Sequence, residues 1–151
     1  MPPLEDDDRI TAFGLFLEAY AAVSAVIERE LHAAAGISGH EFGVLLRLAR
    51  TPGNHLRMTD LADGAGLSTS GMTRLVDRLE AEGYVERATC PNDRRGLEAV
   101  LTLKGKKLVE KVLPAHLESL ERHISAPLCG KLDQLAAPMR ILRDSAKKRS
   151  A

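Results

Sequence analysis

Ser68, Thr69, Ser70, Thr73, Arg74 and Arg78 set hydroxyls and guanidinium groups close together along one short stretch of the chain. Among them Met72, Leu75, Val76 and Leu79 recur at the three- and four-residue spacing of a buried helical stripe. At about 100° per residue, Ser70, Arg74 and Asp77 then point away from that stripe, with Gly71, Thr73 and Arg78 on its flanks. Ser68 or Thr69 supplies the N-cap. Hydroxyls and Arg side chains on the outer face of a helix, near its N-terminus, can bond to base edges in a major groove while backbone amides and the helix dipole meet phosphate. This chemistry is recognition, not bond breaking. Two more cations, Arg94 and Arg95, lie in the turn-like run Pro91-Asn92-Asp93-Arg94-Arg95-Gly96. On an isolated hairpin they read as solvated charges. Beside such a helix, a hairpin tip carrying Arg suits a narrow minor groove, where the potential is most negative, and Asp93 then braces an Arg.

The elements that must position these groups are legible on either side. Thr59 stands where an N-cap belongs, and Leu61, Ala62 and Ala65 give a short helix that closes near Gly64 to Gly66. Gly66 supplies the positive φ of a sharp interhelical turn, and Leu67 plugs the gap. Gly83 marks the exit of the second helix. Tyr84 to Cys90 and Leu97 to Thr102 read as two strands joined by the Pro91 to Gly96 turn. The ordered pattern is a winged helix-turn-helix.

The string Leu61-Ala62, Gly66-Leu67-Ser68, Thr73 to Glu80, Gly83 to Arg87, Asp93-Arg94-Arg95-Gly96, Leu101-Thr102 and Gly105, at these spacings, resembles the MarR family of bacterial transcription regulators. With chain length and flanking helices the resemblance covers nearly all of the chain. It implies one MarR-type domain over 1–151, mainly α with a small β-hairpin wing. A winged helix-turn-helix of about 36–102 would sit between dimerisation helices of about 9–35 and 103–147. It further implies a cytoplasmic homodimer on a pseudo-palindromic double-stranded DNA operator, acting as a repressor released by a small-molecule effector. Carried over by position, the recognition helix is Ser68 to Glu82 and the wing arginine is Arg95. Gly71 departs from the commoner Thr, Ser or Ala, which puts one base or phosphate contact in question.

Composition agrees with a folded domain but gives no help to DNA binding. The 151 residues are 44% hydrophobic and 28% charged with zero formal net charge, whereas nucleic-acid-binding domains usually carry a basic excess. Within Thr69 to Arg95, the arginines are offset by Asp77, Glu80, Glu82, Glu86 and Asp93. Affinity must therefore come from placement, and Asp77, pointing outward, is expected to pair with Arg74 or Arg78. A neutral surface would also suit a winged helix used for protein contact. There is no glycine-rich phosphate loop, nucleophile elbow or zinc signature, so no enzyme and no cofactor are expected. No stretch approaches about 18 uninterrupted apolar residues, and no basic-then-apolar leader opens the chain, so no membrane partner is expected.

Outside the reader the chain is helical. Ile10, Phe13, Phe16, Leu17, Tyr20, Val23, Ile27 and Leu31 form one stripe, with Leu15 and Val26 off it. Ser38 caps a helix carrying Phe42, Leu45, Leu46 and Leu48, which ends before Thr51-Pro52-Gly53. Thr102 caps a long helix to about Ser125, roughly 36 Å at 1.5 Å per residue, containing Pro114. A last helix is expected from about Pro127 to Lys147. More apolar stripe is present than one chain can cover, which argues for a helical dimer interface.

Tyr20, His40, Arg47 and His116 are the polar or aromatic candidates for an effector pocket, which the resemblance puts between the dimerisation helices and the reader. The histidines include no HxxxH pair and read as solvated or core-edge residues, so no metal is assigned. The alternative is a metal- or redox-responsive member, which would draw on His32 or His40 with Glu41 and His116 for a metal, or on Cys90 or Cys129 for redox. Cys90 and Cys129 fit no disulfide or CxxC pattern. Neither falls in the first helix, where the peroxide-sensing branch of the family carries its thiol, so both read as structural or incidental.

Overall fold

The computed structural model describes residues 7–91 and 93–150, with side chains for all of these except 93–95 and 150. The elements run α1 Asp8–Ala35, α2 Gly39–Arg50, β1 His55–Arg57, α3 Met58–Ala65, α4 Thr69–Ala81, β2 Val85–Cys90, β3 Asp93–Leu101, α5 Leu103–Leu120 and α6 Leu132–Ser150. They fall into two compact units, Ser24–His116 and a second unit comprising the chain up to Val23 and from Leu117 onward.

The Ser24–His116 unit is built on a single core. Phe42, Leu45 and Leu48 from α2, Leu61 from α3, Met72, Val76 and Leu79 from α4 and Val85 from β2 are all essentially inaccessible to solvent. At about 1.5–3 kcal/mol for each large side chain removed from water, this shared cluster fixes how α4 is held. Phe42, Leu45 and Leu48 of α2 and Met72, Leu75, Val76 and Leu79 of α4 are buried as their spacing predicts, whereas Leu46 is only half-buried and Val44, not read from the sequence, is buried. Helices α2 and α4 begin on serine caps. At α2, Ser38 Oγ accepts from the Glu41 amide at 3.2 Å while Glu41 Oε2 accepts from the Ser38 amide at 2.9 Å, a complete capping box. At α4, Ser68 Oγ accepts from the Gly71 amide at 3.1 Å. The turn between α3 and α4 passes through Gly66 at φ 65°, a left-handed position that favours glycine. Helix α4 leaves through a Schellman motif, in which Gly83 donates to the Glu80 carbonyl and Tyr84 to the Leu79 carbonyl, both at 2.9 Å.

Four local expectations need correction. Thr59 does not cap α3. A short strand, β1, runs directly into the helix at Met58, so Arg57 occupies the cap position without a side-chain bond. That strand is itself unanticipated; at three residues it is too short to show a period. It completes an antiparallel sheet of order β1-β3-β2. The second wing strand begins at Asp93 rather than Leu97, because the ladder is bulged at Thr89/Cys90 and Cys90 pairs opposite Asp93. The last helix starts at Leu132, not Pro127, since Cys129 and Gly130 take φ of 49° and 80°, which no helix accommodates. The long helix keeps its expected reach by passing from Leu120 into a wider π turn over Glu121–Ser125.

The second unit carries the unpartnered apolar surface. Ile10, Phe13, Leu15, Phe16, Leu17 and Tyr20 of α1 are exposed, as are Leu117, Leu132, Leu135, Ile141 and Leu142. By length and composition alone α1 could cross a membrane. Glu18 interrupts its apolar run, which is why none stands out in the sequence.

Candidate nucleic-acid interface

Helix α4 lies on the core through its stripe and presents the other side to solvent. Thr69, Ser70, Thr73 and Arg74 are exposed on it, as the spacing predicts. The hydroxyls are partly occupied locally. Ser68 Oγ serves as the cap and lies 3.2 Å from Ser70 Oγ, while Thr73 Oγ1 donates to the Thr69 carbonyl at 2.9 Å. Arg74 makes no ion pair with any described residue.

The carboxylates of the same helix are neutralised from outside it. Asp77 does not pair with Arg74 or Arg78 as anticipated. Its partner is Arg87 on β2, at 2.6 Å, a residue ten positions away that strand pairing and the Schellman exit bring alongside the helix. Arg87 also donates to Glu80 and, at 3.2 Å, to the Thr73 carbonyl. Burial would push this guanidinium down, but its bonds to Asp77 and Glu80 more than offset that and hold it above its ordinary value. Arg78 turns the other way, and its Nε donates to Glu41 Oε1 on α2 at 3.1 Å.

The far end of α4 is fastened to α5. Lys104 Nζ donates to the Glu82 carbonyl at 2.6 Å and stands 4.9 Å from the centre of the Tyr84 ring, complementing the helix C-terminus with a positive charge. Thr102 Oγ1 donates to the Gly83 carbonyl at 2.7 Å and accepts from Gly105, which makes it the cap predicted for α5. Gly105 must be glycine here, since a Cβ would come within 2.2 Å of the Tyr84 carbonyl oxygen. Sequence reasoning did not find Glu41, Arg87 or Lys104 as parts of this site. Their partners are distant in sequence, and only Glu41, three residues after Ser38, carries a local signal, that of the capping box. The wing residues Asp93, Arg94 and Arg95 lie on β3, and their side chains lie outside the described residues.

The MarR family model matches residues 35–96, the span that holds α2, α3, α4 and the hairpin. Transcriptional repressor MprA of Escherichia coli (strain K12) is 34% identical over 102 residues, covering 68% of this chain and 58% of that protein. A MarR family transcriptional regulator from Streptomyces coelicolor, solved in complex with DNA, superposes with a TM-score of 0.84 at 29% identity, covering 96% of this chain and 91% of that one. AbsC, a second MarR family regulator from the same organism, gives 0.82 at 29% identity, with 94% and 96% covered. The chain belongs to the MarR family. It spans a little over half the length of the curated relative it matches.

Within this MarR fold the effector candidates separate. His40 and Arg47 line one small cleft of about 160 Å³ between α2 and α3, where Arg47 Nη2 donates to the Gly64 carbonyl at 2.8 Å. His116 sits instead against the buried Phe42, ring centres 5.0 Å apart in an edge-on arrangement, with Nδ1 buried and unpartnered among the described residues. Burial pushes the His116 pKa down. Tyr20 is exposed on the other unit. A larger cleft of about 410 Å³, between the end of α1, α2, α4 and α5, is lined by Glu41, Arg78, Tyr84 and Leu108 and by none of the four candidates. No group of three or more His, Cys, Asp or Glu among the described residues is placed to hold a metal ion. Cys90 is buried and Cys129 exposed.

Proposed function

We propose that this protein is a sequence-specific DNA-binding transcription regulator, a ligand-responsive repressor that acts as a homodimer on a pseudo-palindromic operator. The reading rests on one observation above the others. The outer face of α4 presents Thr69, Ser70, Thr73 and Arg74 to solvent, while the carboxylates that would repel phosphate beside them, Asp77 and Glu80, are held by Arg87. A chain of zero net charge can then meet DNA through a locally favourable face.

On this reading Arg74, with Ser68, Thr69, Ser70, Thr73 and Arg78, faces the major groove, and Arg94 and Arg95 of the wing reach the minor groove with Asp93 as brace. The exposed stripe of α1 and the exposed leucines of α6 belong to the contact between two copies, within a single MarR-type domain of cytoplasmic location. The Streptomyces coelicolor relative in complex with DNA and the repressor name of MprA support DNA as the partner and repression as the outcome. Tyr20, His40, Arg47 and His116 are the residues offered for an effector, in more than one place.

Gel-shift titration with the upstream region of the protein's own gene, or of a divergent neighbour, tests the reading. Nanomolar binding to a palindromic segment, at least a thousandfold tighter than to random duplex, is expected. Equal, micromolar binding to every duplex would instead favour a winged helix used for protein contact.

A further inference from the structure

We propose that Arg78 serves recognition as a positioning residue: through Glu41 it fixes the setting of α4 against α2, and it contributes no contact to the nucleic acid. The inference rests on the DNA-binding reading and revises one residue of it. Arg78 lies one turn beyond Arg74 on α4, so position alone would place both on the same face. Their surroundings differ. Arg74 has no ion-pair partner among the described residues, whereas the Arg78 Nε, the donor nearest the side-chain stem, is committed to Glu41 Oε1 at 3.1 Å. That bond anchors the root of the guanidinium toward α2, while the side chain as a whole stays 60% exposed.

Glu41 is suited to transmit position because both of its oxygens are engaged. Oε2 closes the capping box by accepting from the Ser38 amide at 2.9 Å, and Oε1 takes Arg78. One carboxylate therefore joins the first turn of α2 to the last turn of α4, and only about a fifth of its side-chain surface is exposed. The pair also borders the cleft of about 410 Å³ between α2, α4 and α5, which Leu79, Tyr84 and Leu108 line as well. On the opposite edge Arg87 holds α4 to β2, so the helix is braced from two sides and its outer face is left to Thr69, Ser70, Thr73 and Arg74.

The test is a double-mutant cycle on operator binding by the full-length protein, with Glu41→Gln, Arg78→Gln and both together, read at several salt concentrations. If Arg78 acts through Glu41, each single variant loses roughly threefold to tenfold in affinity and the double variant loses no more than either. The slope of log affinity against log salt stays at the wild-type value for Arg78→Gln, because no phosphate contact has been removed. A slope that becomes shallower by about 0.9 for Arg78→Gln, the loss of one phosphate neutralisation, would overturn the proposal. So would Glu41→Gln binding as tightly as wild type while Arg78→Gln is weakened. Arg74→Ala is the control that keeps the two ideas apart. Weakening by Arg74→Ala with unchanged binding by both Arg78→Gln and Glu41→Gln sinks this inference alone, whereas a wild type that binds no duplex specifically sinks the DNA-binding reading with it.

Discussion

Arg87 on β2 donates to Asp77 on α4 at 2.6 Å, tying the root of the hairpin to the outward edge of the helix. The same guanidinium reaches Glu80 and the Thr73 carbonyl, so three acceptors from successive turns of α4 share one cation. Its side chain is only 19% exposed against 57% for Asp77, which makes Arg87 the fixed member of the pair. Hairpin and helix are consequently held as one body, and two carboxylates next to the outer face lose their net repulsion toward phosphate.

Replacing Arg87 by Met keeps much of the side chain's length but removes all three bonds. The variant is expected to be less stable by about 1–2 kcal/mol in urea denaturation. It should also bind DNA more weakly, most visibly at low salt, because Asp77 and Glu80 become free negative charges. Unchanged affinity with the expected loss of stability would mean that these carboxylates do not face the duplex.

Arg74→Ala should weaken operator binding by about 1–3 kcal/mol if the side chain reads a base, with much less loss on random DNA. Arg95→Ala should weaken chiefly those sites whose flanks are A·T-rich. Both variants should remain folded, since neither position belongs to the buried stripe. Small and equal losses on every sequence would assign both arginines to phosphate only.

The helical stripes and caps were legible because they rest on near neighbours: Met72, Leu75, Val76 and Leu79 show their period directly, and Ser38, Ser68 and Thr102 cap as their positions suggest. What was not legible depends on tertiary pairing. Asp77 had Arg74 three positions back on the same helix face, yet Arg87 takes it, because the Gly83 exit folds β2 back along α4. Glu41 and Arg78 are 37 positions apart and meet only once α2 and α4 have packed. The three-residue β1 has too few positions for an alternation, and it displaces the expected cap at Thr59.

Two groups predict how stability changes with pH. Burial pushes Glu41 up, but the Ser38 amide and Arg78 outweigh it, so its folded pKa lies below the ordinary 4.5. Its contribution is present above that value and is lost as pH falls through the lower folded value. His116 is also lowered, by burial, from 6.5. Because the unfolded chain takes up this proton first, stability should decline as pH falls below about 6.5 and level off once the folded form also titrates. Denaturation midpoints followed from pH 8 to pH 5 check the His116 contribution, which His116→Phe should flatten, and continuing the series below pH 4.5 reads that of Glu41. A curve of unchanged slope would place the titration elsewhere.

The exposed apolar residues of α1 predict the assembly. Phe13 and Tyr20 are 62% and 63% exposed, and Phe16 and Leu17 lie between them on the same stripe. A second copy meeting this surface would remove it from water at about 25 cal/mol per Å². The wild type should be a dimer by light scattering at micromolar concentration, and Phe13→Glu with Phe16→Glu should yield monomers whose Ser24–His116 unit retains its helical signal. A dimer places two readers on half-sites about 34–36 Å apart, so the second reader binds at high effective concentration. The monomeric variant should therefore lose at least a hundredfold on the full palindrome but little on an isolated half-site. A monomeric wild type, or a footprint covering one half-site only, would remove the two-fold operator from the account.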